Sequence, residues 1–152
     1  MKALLFAGLL ALPAARSAQA QSWHPKPKAR DNLILIQTAD SATLALRKLG
    51  QVFGAQGFTI DKLDETLLTL TLAPKTLPLS YHPVLYIGAR ADRSASSNLT
   101  LRADYRAASR GIRVGSPAEY VGGESGITKT CFRMLEKAAL AYPGGYVSYG
   151  RQ

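Results

Sequence analysis

Four side chains in the middle of this sequence, Tyr86, Arg90, Arg102 and Arg106, are of the kind that grips an anion, and their spacing decides whether they can act together. Arginine presents a planar fork of N–H donors that matches a carboxylate or a phosphate, and a neighbouring tyrosine adds a ring and a hydroxyl. Tyr86 and Arg90 share one parity within the run Val84–Ala91, while Leu85, Ile87 and Ala89 take the other. In Asn98–Ala107, Thr100, Arg102, Asp104 and Arg106 alternate in the same way with Leu99, Leu101, Ala103 and Tyr105. Residues of one parity share a face of a β-strand, so two strands joined by the polar turn DRSASS are predicted. A register that keeps the apolar faces aligned gathers Tyr86, Arg90, Thr100, Arg102 and Arg106 on the opposite side, with Arg110 and Arg113 following. That side is the candidate binding surface, and an acidic partner is its natural complement. An exposed sheet face is polar in any protein, so the same residues also suit a surface that meets only water.

Other residue types capable of chemistry are thinly spread. The two histidines, His24 and His82, lie outside the apolar-periodic segments, and no motif ties a nucleophile to a base. A small hydrolase with its site near His82 is the enzymatic alternative; it requires Ser80 or a carboxylate within hydrogen-bonding reach of that imidazole inside a cleft. Asp61, Asp64 and Glu65 form the one acidic cluster, but on a hairpin tip such residues are mostly solvated turn formers. The run Gly122-Gly123-Glu124-Ser125-Gly126 meets neither the phosphate-loop pattern nor the G-x-S-x-G elbow, since Ile127 stands where each would need another residue. Cys131 falls on an apolar stripe and reads as a packed thiol. No metal-ligand set and no cofactor motif is present in the sequence, so the reading is a binding or interaction module and not an enzyme, with a structural envelope component as a further alternative.

The elements that must position the candidate face are legible from periodicity. Leu33–Gln37 is a short run of β formers. After Asp40 or Ser41, placed to cap a helix, Ala42, Ala45, Leu46, Leu49, Val52 and Phe53 recur at helical spacing, with Leu44, Arg47, Lys48 and Gln51 on the other side and Gly57 as the stop. Phe58–Asp61 and Leu67–Leu72 then read as a hairpin turning at 62–65, with Leu68, Leu70 and Leu72 inward. Ala73–Pro83 reads as a loop, and Ser109–Val121 as an edge strand or an irregular return. Ile127, Cys131, Met134, Leu135, Ala138 and Tyr142 form a second helical stripe, stopped by Pro143-Gly144-Gly145 and flanked by Lys129, Arg133 and Lys137. Tyr146–Tyr149 can add a last strand. The fold class that follows is α+β, an antiparallel sheet of about four to six strands with two helices packed on one face.

Length and composition bound the rest. The 152 residues, 47% hydrophobic and 19% charged, fit one globular domain, read as 32–152. Residues 1–20 carry Lys2, the apolar run Ala3–Leu12, Pro13 and the small-x-small ending Ala18-Gln19-Ala20 of a secretory signal. Cleavage near Ala20 and export to the periplasm or the medium are therefore expected, with residues 21–31, prolines at 25 and 27, as a linker that leaves Trp23 and His24 near the surface. No later stretch is long and apolar enough to read as a transmembrane segment. The full chain carries 19 basic and 10 acidic side chains, a net charge of +9, and loss of Lys2 and Arg16 with the signal leaves +7. That excess favours an acidic envelope polymer or protein; export argues against nucleic acid. The segments TLALRKLGQVF and EKAALAYPGG, with the strands between them, resemble small exported bacterial proteins of unknown function with a helix-on-sheet domain. The resemblance implies an architecture and no activity.

Overall fold

Alternation of the kind seen in Val84–Ala91 builds sheets, and the computed structural model contains one large antiparallel sheet with two helices, an α+β fold. It describes residues 22–93, 96–109, 112–121 and 126–152; the signal-like segment 1–20, Arg110 and most of the glycine run at 122–126 lie outside them. The elements are β1 (Leu33–Thr38), α1 (Ala42–Ala55), β2 (Ile60–Asp64), β3 (Thr69–Leu72), β4 (Lys75–Thr76), β5 (Val84–Ala91), β6 (Ser97–Ser109), β7 (Ile112–Pro117), α2 (Ile127–Leu140) and β8 (Tyr146–Gly150). Six strands run in the order β2-β3-β5-β6-β1-β8, while β4 adds to β5 and β7 to β6. Among the described residues the sheet thus has eight strands, more than the four to six expected. One extra strand is β4, two residues inside a proline-rich loop that periodicity cannot detect. Another follows from the 13-residue length of β6, whose first half pairs with β1 and whose second half pairs with β7 on the same side.

The inner face is one continuous core. Ile34 and Ile36 lie opposite Leu101 and Leu99, which lie opposite Ala89 and Ala91, and all six are buried. The small side chains at 89, 91 and 103 let the helices approach the centre of the sheet. Onto them α1 sets Ala45, Leu46, Leu49 and Phe53, and α2 sets Cys131, Phe132, Leu135, Ala138 and Ala139. Burial of this apolar stripe, at ~25 cal/mol per Å², is what holds two helices of 14 residues each, lengths that are marginal in isolation.

Local signals differ from expectation in three places. Ser41 occupies the N-cap of α1 but its hydroxyl makes no capping bond. Asp40 turns instead to Lys48 Nζ and Tyr142 Oη, each at 2.7 Å, because joining the start of α1 to the chain after α2 satisfies three polar groups at once. The β2–β3 turn falls at 65–68 and not at 62–65: the Asp64 carboxylate accepts the amides of Thr66 and Leu67, and Leu68 takes a positive φ of 53°. Leu68, Leu70 and Leu72 nevertheless face inward as expected. The segment read as a linker is hydrogen-bonded to the sheet, His24 exchanging both backbone bonds with Tyr149, and Arg30 and Asp31 bonding to Tyr120. His24 Nε2 lies 2.7 Å from the buried Asp31 carboxylate, and a Cβ on Gly150 would come within 2.9 Å of the Trp23 ring, so the indole takes the place of a side chain there.

The Asp40–Tyr142 contact has a consequence in alkali. Burial first, and the bond to Asp40 second, push the Tyr142 hydroxyl up from 10.0 to about 12, and burial and the bond to Glu136 raise Tyr149 as well. A group raised on folding contributes stability that is complete below its unfolded value and is lost as pH climbs through its folded value. Unfolding midpoints are therefore expected to hold up to pH 9 and to fall between about 10 and 12. Tyr142→Phe should cost about 1 kcal/mol at pH 7 through the lost hydrogen bond and show a shallower alkaline fall; chemical denaturation at pH 7, 9 and 11 measures both.

Candidate functional site

The side of the sheet away from the helices is where the tyrosine and the arginines emerge. Strand pairing sets them in rows. Thr69, Arg90, Thr100 and Leu35 stand side by side across β3, β5, β6 and β1. The next row is Thr71, Gly88, Arg102 and Leu33, and beyond it lie Tyr86 with Asp104, then Val84 with Arg106. The register expected from the apolar alternation is the one observed, and Tyr86, Arg90, Thr100, Arg102 and Arg106 do share this face.

Gly88 gives the face its relief. It has no side chain, yet along its strand it is flanked by Tyr86 and Arg90, and across the ladders by Arg102 and Thr71. The result is a depression of about 570 Å³ whose wall includes both arginines, Tyr86, Thr69, Thr71 and Thr100. A depression of that size can hold a small ligand or one unit of a larger one. The carboxylate of Asp104 lies 3.2 Å from an Arg102 nitrogen, and Gln152 Oε1 accepts from the same guanidinium at 3.1 Å, so Arg102 is held in place from two sides. Arg106 lies over the Tyr86 ring at 5.1 Å from its centre. Arg90 is exposed and has no ion-pair partner among the described residues. Two guanidiniums that converge on an open floor, ringed by hydroxyls, can desolvate and hold an anionic group.

Alternation set Gly88 on one face with Tyr86 and Arg90, and Thr69 and Thr71 on the wet face of their own strand, but did not bring the two strands together. A glycine in the middle of the strand Val84–Ala91 was the available signal for a close approach. The threonines come from a strand whose neighbour no sequence pattern identified.

The other candidates fall elsewhere. His82 is exposed on a turn with φ 42°, beside Tyr81 at φ 67°, and among the described residues its ring makes no hydrogen bond to Ser80 or to a carboxylate. Of the acidic cluster, Asp64 caps its turn and Glu65 pairs with Arg47. Cys131 is fully buried, and burial pushes its thiol up to about 11, away from a reactive thiolate. The basic side of α2 is not a free row of charges: Arg133 pairs with the buried Glu136 and lies 5.1 Å from the centre of the Tyr120 ring, with Lys129 over the same ring at 5.6 Å. Among the described residues no helix is long and apolar enough to cross a membrane. No protein-family model matches the chain, and no curated protein matches it.

Proposed function

We propose that the protein is an exported binding module whose outer sheet face takes an acidic partner, with the depression over Gly88 as the point of contact. The signal-like segment 1–20 would deliver it to the periplasm or the medium, where acidic envelope polymers and proteins are at hand. The observation that carries the reading is the placement of Arg90 and Arg102 around a floor with no side chain, at the one stretch of the sheet where Thr69, Thr71 and Thr100 also turn outward.

Two sets of variants test it. Arg90→Gln, Arg102→Gln and Arg106→Gln together should leave the fold intact and lower affinity for an anionic ligand at least about tenfold, since the loss of a single charge-assisted contact already costs that much. Lys26→Gln, Lys28→Gln and Lys137→Gln remove the same charge from exposed positions elsewhere and should have a much smaller effect. Arg133 is unsuitable for the control, because its loss would strand Glu136. Gly88→Leu is the sharper probe. A Cβ there meets nothing closer than the Leu70 carbonyl oxygen at 3.9 Å, so the variant should fold while its side chain fills the depression. Equal losses from the two triples, or undiminished binding by Gly88→Leu, would mean that only net charge matters.

A further inference from the structure

A second depression of about 520 Å³ adjoins the first and shares Arg90 and Thr100 with it, running on past Arg93 and Asn98 to the β2–β3 turn at Thr66 and Leu67. The two form one elongated trough. Its cations are spaced along it: Arg102 and Arg90 are diagonal neighbours on adjacent strands, roughly 7–8 Å apart at their origins, and Arg93 follows. Arg93 is fixed by a 2.8 Å bond from its guanidinium to the Thr66 carbonyl oxygen. We infer that the ligand is a linear, carboxylate-bearing glycan lying along both depressions, in two adjoining subsites that share Arg90. The inference rests on the anion-binding reading above and names its ligand class.

The chemistry of the trough separates this ligand from two other polyanions. A peptide strand is bound by a sheet through a free edge, but β3, β5 and β6 each have strands on both sides, so their backbone groups are spent within the sheet. Recognition here is by side chains alone. Protein partners are anchored in apolar pockets, whereas of the large apolar side chains at hand Leu67 stands 64% exposed on the rim and Leu33 is itself buried. A nucleic acid strand calls for uninterrupted positive charge and open aromatic faces. This trough contains the carboxylates of Asp104, beside Arg102, and of Asp92, which accepts from the Asn98 backbone and side-chain amides, and Arg106 already occupies a position over the Tyr86 ring. Carboxylates and arginines side by side, with threonine hydroxyls between them, suit a ligand that donates and accepts at many hydroxyls and carries one negative charge per unit. Threonine methyl groups offer the C–H faces of its rings an apolar bed.

The test is calorimetric titration of the wild-type protein and its variants with oligomers of galacturonic, mannuronic and glucuronic acid, from monomer to tetramer. The comparison ligands are a carboxyl-reduced tetramer, poly-glutamate and linear polyphosphate. At least one uronate series should bind at least tenfold more tightly as tetramer than as monomer, and its carboxyl-reduced form should not bind. Arg93→Gln should abolish the gain with length while leaving the monomer's affinity within twofold, and Gly88→Leu should weaken every member. A uronate series with no gain in length would overturn the two-subsite arrangement. Poly-glutamate or polyphosphate bound at least as tightly as the best uronate, with the same dependence on Arg90, Arg102 and Arg106, would overturn the glycan and leave the anion-binding reading standing. Failure of all these anions to bind, or binding indifferent to Gly88→Leu and to the arginine triple, would sink both.

Discussion

Phe132→Ala is expected to lower stability by about 3–5 kcal/mol, the cost of deleting a fully buried aromatic ring. Phe132 is 0% exposed and sits between two other rings, with Tyr120 at 5.9 Å and Tyr149 at 6.3 Å between centres. It therefore joins α2 to β8 and to the strand-like segment at Tyr120, which in turn holds Arg30 and Asp31. The void would be lined by groups from three separate parts of the chain, none of which can relax alone, so the loss belongs at the upper end of the range. A small domain has only ~5–15 kcal/mol in all, so the variant should unfold in low urea or express poorly. Phe132→Leu, which keeps most of the volume, should fold and supply the denaturation curve if the alanine variant cannot. A loss under about 1 kcal/mol for the alanine change would mean that α2 does not pack as described.

Arg133→Ala should cost about 1–3 kcal/mol at pH 7. Glu136 is 5% exposed on the buried side of α2; its carboxylate takes a charge-assisted bond from Arg133 and lies near the Tyr149 hydroxyl. Without the guanidinium, a buried carboxylate loses its charged partner and its desolvation goes uncompensated. Adding Glu136→Gln to Arg133→Ala should recover much of the loss at pH 7 by removing the stranded charge. Denaturation of the two variants and the wild type at pH 7 measures each claim; a double variant no more stable than Arg133→Ala would place the effect in lost packing against Tyr120.

That second case marks a limit of what helical periodicity can reveal. The stripe of α2 was legible through Cys131, Leu135 and Ala138, but Glu136, one position away from Leu135, is buried with them. A charged residue is buried only when a partner is within reach, and Arg133 three residues earlier on the same helix, with Tyr149 from β8, makes it so. The Arg133 partnership was open to guesswork from the i, i+3 spacing. The Tyr149 one was not.

The candidate face divides along the same line. Alternation within β5 and β6, and the polar turn between them, dictated their pairing register: one buried face is so costly to expose that a slip of one residue is excluded. Tyr86, Arg90, Thr100, Arg102 and Arg106 were thereby placed together by the sequence alone. The helices, the inward leucines of β3 and the α+β class were determined in the same way, by apolar periods local to each segment. What only the tertiary structure decided is which strands become neighbours over long separations. That β3 lies beside β5, bringing Thr69 and Thr71 to Gly88, that β1 and β7 share one side of β6, and that Trp23 and His24 close onto β8 all depend on contacts between segments far apart in the chain. Such choices are set by the shape of the whole core and by which strand edges remain to be satisfied, quantities that no local period encodes.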